Sequence, residues 1–145
     1  MNSKTKKFYY ICGMNKEFIP YEQALALKEL GFDEQCFGYY YTLNGKDWKF
    51  ADDKQYDSLD EFYNIGSMFT ISAPLYQQTF KWFREHCKNI VFNVADNRNQ
   101  LFVQQAYNYL IDTIDNRYQS EVIFKTYEEA QLECLRKLIE IVKIK

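Results

Sequence analysis

The sequence predicts an α+β fold: a single small domain with an antiparallel sheet and about three main helices, at 20–31, 72–87 and 127–142. Three observations predict it. Apolar residues recur at helical spacing in three separate windows. Aromatic runs flank an Asn44-Gly45 pair, the strongest short hairpin signal. With 47% apolar and 26% charged residues, 145 residues are enough for one core without a disulfide or metal staple.

Phe8–Cys12 is aromatic and β-branched enough for a first strand. Pro20 opens the first helix, with Glu22 in its first turn and Ala24, Leu27 and Leu30 on one face. Gly31 is placed to end it in a left-handed cap, with Phe32 folding back on Leu27. A two-residue Asn44-Gly45 turn then pairs Leu43 with Lys46, Tyr41 with Trp48 and Tyr39 with Phe50. In that register Tyr39, Tyr41, Trp48 and Phe50 share one face, with Tyr40 and Lys49 on the other.

Residues 51–58 read as an acidic loop, and Ser58-Leu59-Asp60-Glu61 has capping-box spacing. Ser72 is the expected cap of the second helix, whose stripe is Tyr76, Phe80, Phe83 and Cys87, flanked by Leu75, Thr79 and Trp82. Ile90–Ala95 reads as a strand and Asp96–Asn99 as a turn. Residues 101–114 fit either a helix or an alternating strand. Val122–Phe124 reads as a short strand. Thr126-Tyr127-Glu128-Glu129 is a capping box before an Ala130, Cys134, Leu138, Ile141 stripe widened by Leu135 and Val142. Outer i,i+4 pairs are expected for Glu133–Lys137 and Arg136–Glu140.

The charge balance argues against a nucleic-acid binder: 18 basic and 20 acidic residues, with one basic cluster at Lys4, Lys6 and Lys7. Cys12, Cys36, Cys87 and Cys134 form no close pair and lie among apolar neighbours, which suits a reducing, cytoplasmic setting. No segment has the form of a signal peptide or a membrane span.

Catalysis finds little to work with. His86 is the one histidine; on a helix it points about 100° away from Cys87, so the two do not form a nucleophile–base pair. The Cys and His residues lack zinc-site spacing, and the Asp52, Asp53, Asp57, Asp60, Glu61 loop lacks the glycine and alternation of an EF-hand. No phosphate-cradling or nucleophile-elbow motif is present. The expectation is therefore no metal, no cofactor and no enzyme; a hydrolase built on the acidic loop is the enzymatic alternative.

Three blocks, Tyr21–Glu34 (YEQALALKELGFDE), Ile71–Glu85 (ISAPLYQQTFKWFRE) and Phe124–Lys143 (FKTYEEA through LIEIVK), together with the hairpin start Cys36–Tyr40, resemble a family of small proteins without assigned activity. These are encoded by Bacteroides-type bacteria, their phages and mobile elements. The resemblance implies a phage or prophage accessory setting and a helix–strands–helix module over 71–145. It also implies strand over 107–114. Between Asn93 and Tyr107 this chain is longer than the family pattern.

The expected function is a non-enzymatic accessory protein that binds a host protein or a small, nucleotide-like ligand, counter-defence included. Tyr39, Tyr41, Trp48 and Phe50 are the candidate ligand- or partner-binding residues, with core packing as their other reading. A structural or assembly role is the alternative, which leaves an oligomer open.

Overall fold

In the computed structural model, residues 16–52, 69–97 and 107–144 are described. The strand expected at Phe8–Cys12, the basic tail, the box at Ser58, most of the acidic loop and residues 101–106 lie outside them. The described elements are α1 (Tyr21–Glu29), β1 (Gly38–Thr42), β2 (Lys49–Asp52), β3 (Phe69–Ala73), α2 (Tyr76–His86), β4 (Val91–Asp96), β5 (Tyr107–Asp112), β6 (Arg117–Gln119) and α3 (Tyr127–Ile144). The α+β class is as expected, with the strands forming two antiparallel sheets, ordered β2-β1-β3 and β4-β5-β6. The chain divides into two compact units, Met1–Tyr76 and Gln77–Lys145.

In the first unit α1 lies against β3 and buries Ala24 and Leu27. Pro20 stands just before the helix as its cap rather than inside its first turn. The helix ends as its sequence requires: Gly31 adopts φ +94°, its N–H donates to the Lys28 carbonyl at 3.1 Å, and the Phe32 N–H donates to the Leu27 carbonyl at 3.0 Å. Both bonds of the Schellman motif are made. Phe18, bridged to Leu75, and Ile19, whose N–H donates to the Pro74 carbonyl, close the core beside the sheet.

The hairpin differs from expectation by one residue. Tyr40 pairs with Phe50, Tyr41 with Lys49 and Tyr39 with Ala51. The cause is the Asn44 side chain. Its Oδ1 accepts from the Lys46 and Asp47 N–H groups and from the Thr42 hydroxyl, while its Nδ2 donates to Asp47. A side chain that supplies its own turn bonds opens the loop to residues 43–48. A one-residue change of register moves side chains to the opposite face. The four aromatics therefore do not share a face: Phe50 joins Tyr40, and Tyr39 and Tyr41 lie on the other side.

Ser72 is not a helix cap. It pairs with Tyr39 within β3, so α2 starts only at Tyr76. Of the predicted stripe Tyr76, Phe80 and Phe83 are buried beside Thr79 and Trp82, while Cys87 is half-buried just past the end of the helix.

In the second unit, α2 and α3 both cover the face of the sheet that carries Phe92, Ile111 and Tyr118. Phe80 packs on Phe92 at 5.2 Å between ring centres, and the Lys137 ammonium lies 5.1 Å over the Tyr118 ring. Residues 107–112 are strand. Val122 and Ile123 are not; the third strand is β6, and Phe124 rejoins Tyr107 only through an isolated bridge. The predicted α3 stripe of Ala130, Cys134, Leu138 and Ile141 is buried, with Leu135 beside it.

The Glu129 N–H donates to Thr126 Oγ1 at 3.2 Å, and the Glu129 carboxylate accepts from the Lys125 N–H. Thr126→Ala is expected to cost about 1 kcal/mol, read as a lowered urea midpoint. The ion pairs run i,i+3 rather than i,i+4, Arg136 to Glu133 and Lys137 to Glu140. The Lys137 ammonium also lies over the Tyr118 ring, so Lys137 faces the sheet rather than the outer side expected of it.

Candidate functional site

The sequence-nominated aromatics separate into two groups. Trp48 stacks on Tyr21 at 4.7 Å, Tyr21 meets the edge of Tyr40 at 5.6 Å, and Tyr40 meets Phe50 at 5.5 Å. Phe50 then packs on Phe18 at 4.9 Å. Trp48 and Phe50 thus belong to a continuous chain of rings that ties α1 to the first sheet. Tyr39 and Tyr41 lie on the opposite face, 6.2 Å apart. Tyr41 borders a hollow of about 140 Å³ beside Asn44 and Asp47, smaller than the roughly 300–1,000 Å³ of ordinary ligand pockets.

Within the ring chain the Tyr40 hydroxyl donates to the Ile19 carbonyl at 2.8 Å, and burial pushes its pKa up to about 12. Burial likewise pushes the Cys134 thiol up to about 12. Both groups stay protonated in the folded chain at pH values where the unfolded chain ionises them. The folded state then binds more protons, so their contribution is complete below about pH 9 and declines as pH rises to about 12. Urea midpoints should fall across that window; a flat profile would show that neither group is sheltered.

The helix-end pair is not a catalytic dyad. His86 stacks on Trp82 at 4.7 Å, and its Nδ1 lies 3.0 Å from the Trp82 carbonyl, which commits the ring to its own helix. The acidic loop expected over 51–58 is strand at its start: Ala51 and Asp52 are buried at the end of β2, Asp52 opposite Gly38, and 53–58 lie outside the described residues. Among the described residues no three His, Cys, Asp or Glu side chains are grouped to hold a metal ion. No helix among them is long and apolar enough to cross a membrane.

A roomier concavity lies elsewhere among the described residues. In the second unit a groove of about 650 Å³ opens between the short strand β6 and α3. Its floor carries Tyr109 and Tyr118, its helix wall Glu133 and Lys137, and its far wall Ser120 to Phe124. The Phe124 ring lies nearly parallel to Tyr109 at 6.3 Å. The Ser120 N–H donates to the Tyr109 carbonyl, and Ser120 Oγ accepts from the Tyr109 N–H. Burial, with the Cys134 thiol next in effect, raises the Tyr109 pKa.

Among the described residues every charge on the groove has a partner except Glu121 on the rim. Arg117 grips Asp112 with two bonds of 2.6 and 3.1 Å, Lys137 holds Glu140 at 2.9 Å, and Glu133 is taken by Arg136. These pairings raise the pKa of Arg117, mainly through its bond to Asp112, and of Lys137, mainly through its bond to Glu140. None of the groove residues stood out in the sequence. The available signal was the polar turn Thr113–Asn116 followed by the alternating Arg117-Tyr118-Gln119, which marks a strand after a hairpin turn.

The chain matches no protein-family model, no curated protein and no solved structure. The functional reading therefore stands on the geometry.

Proposed function

We propose that this chain is a non-enzymatic binding protein that holds its partner in the groove between β6 and α3. One observation carries the reading: a concavity of about 650 Å³, lined by Tyr109, Tyr118 and Phe124, has the size and aromatic lining of a binding site. Among the described residues that line it there is no histidine or cysteine, and the Ser120 oxygen accepts from the Tyr109 N–H. The resemblance to small proteins of Bacteroides-type bacteria and their phages supports an accessory role such as counter-defence.

The test is a ¹H–¹⁵N NMR titration of the full chain with a library of small aromatic fragments. Shifts are expected to concentrate at Tyr109, Ser120, Phe124 and Lys137. Shifts centred on Tyr39 and Tyr41 would move the site to the first sheet and overturn the assignment.

A second reading, self-assembly, is favoured by Val91 and Ile114, 70% and 73% exposed near one end of the second sheet. A strict monomer by light scattering at high concentration would dismiss it.

A further inference from the structure

Resting on the reading of the groove as a binding site, we infer that its occupant is a neutral, extended peptide segment that adds a strand to the outer edge of β6. The argument begins with ladder parity. Thr113 N–H bonds to the Asn116 carbonyl and Ser120 N–H to the Tyr109 carbonyl, so 113/116 and 109/120 are hydrogen-bonded pairs. In an antiparallel ladder such pairs alternate, which makes Ile111/Tyr118 bonded and Asp112/Arg117 and Leu110/Gln119 unbonded.

The backbone N–H and C=O groups of Arg117 and Gln119 therefore point away from β5. Among the described residues no strand lies on that side. Two donors and two acceptors two residues apart, about 6.8 Å along the strand, match the repeat of an extended peptide. A compact small molecule does not have that repeat.

The groove supplies what a bare edge lacks. A strand laid along β6 directs alternate side chains towards α3, onto the floor formed by Tyr109 and Tyr118. Lys137 and Glu133 border that space, and Val122 and Ile123, 59% and 57% exposed, continue an apolar rim.

Charge decides the chemistry of the occupant. Asp112 draws the Arg117 guanidinium back across the ladder towards β5, and Lys137 is held by Glu140 and the Tyr118 ring. A phosphate would have to break one of these pairs to find a cation, an acidic side chain would gain no partner, and a basic one would meet only Glu121, out on the rim and off the aromatic floor. An aromatic or branched apolar side chain loses nothing on entering.

The experiment pans a displayed random linear heptapeptide library on the full chain and remakes the best binder synthetically. Fluorescence anisotropy then compares that peptide with versions N-methylated at alternate amides. Methylation at one parity is expected to weaken binding at least tenfold, and at the other parity to leave it within about twofold. Gln119→Pro deletes an outward N–H and no ladder bond, a change that edge strands tolerate. It is expected to give the same tenfold loss while aromatic fragments still bind the groove.

Equal effects at both parities overturn the strand inference. So does failure to enrich any peptide while fragments, or a nucleotide such as AMP, bind at Tyr109 and Phe124; the binding reading then stands with a small ligand. If neither peptide nor fragment binds there, both readings fall. The N-methyl series uses the unaltered chain, so it decides even if the proline variant does not fold.

Discussion

Gly38→Val is expected to lower the stability of the first unit strongly, by overpacking its central strand. A Cβ at this position would lie 2.7 Å from Phe18 Cε1 and 2.9 Å from Phe50 Cε2, inside any real carbon–carbon contact. Neither side can retreat easily. β1 is the central strand, with Gly38 paired to Asp52 on one side and Ala73 on the other, and the Phe18 ring is buried. Overpacking of this kind costs about 1–3 kcal/mol, and the branched valine belongs at the upper end. Urea unfolding should show the midpoint fall for Gly38→Ala and further for Gly38→Val. Introduced into a Phe50→Leu background, Gly38→Ala should cost less, because one of the two opposing rings is gone. An equal cost in both backgrounds would place the strain somewhere other than the ring contact.

Leu138→Ala should have a comparable or larger effect on the second unit. Leu138 is fully buried in the α3 stripe, in line with Cys134 and Ile141. Removing a core leucine costs about 2–5 kcal/mol, depending on how far the surroundings close around the hole. Arg136→Ala on the outer side of the same helix is the control. Its pair with Glu133 is substantially exposed, so its loss should cost under about 1 kcal/mol. A small effect at Leu138 would mean that α3 is not the principal cover of its sheet.

The helices were legible in the sequence because their signals are local. Gly31 after Leu30, and Thr126 three residues before Glu129, specify cap geometry within one turn of chain, and both are made as expected. The hairpin was legible as an element but not in its register. Asn44-Gly45 points to a two-residue turn, yet the Asn44 amide satisfies three donors from Thr42, Lys46 and Asp47 and opens the loop instead. That outcome depends on a side-chain network, which dipeptide preference does not encode.

Ser72 shows the same competition at a helix start, where a partner strand claims a residue with a good capping side chain. The groove was the least legible feature. Tyr109, Tyr118, Ser120 and Lys137 come from three separate stretches of chain, and none is unusual alone. Only the pairing of β5 with β6 and the placement of α3 make them neighbours.

Each sheet is assembled from one uninterrupted length of chain: β1 to β3 within Met1–Tyr76, and β4 to β6 within Gln77–Lys145. Among the described residues no strand must wait for a partner from the other half. During synthesis the described strands of the first sheet are all available once Tyr76 has cleared the ribosome, before the second sheet has emerged from it. Chains of this arrangement fold in the order in which they are made. The aromatic strand β1, paired on both sides by then, spends little time exposed to neighbouring nascent chains.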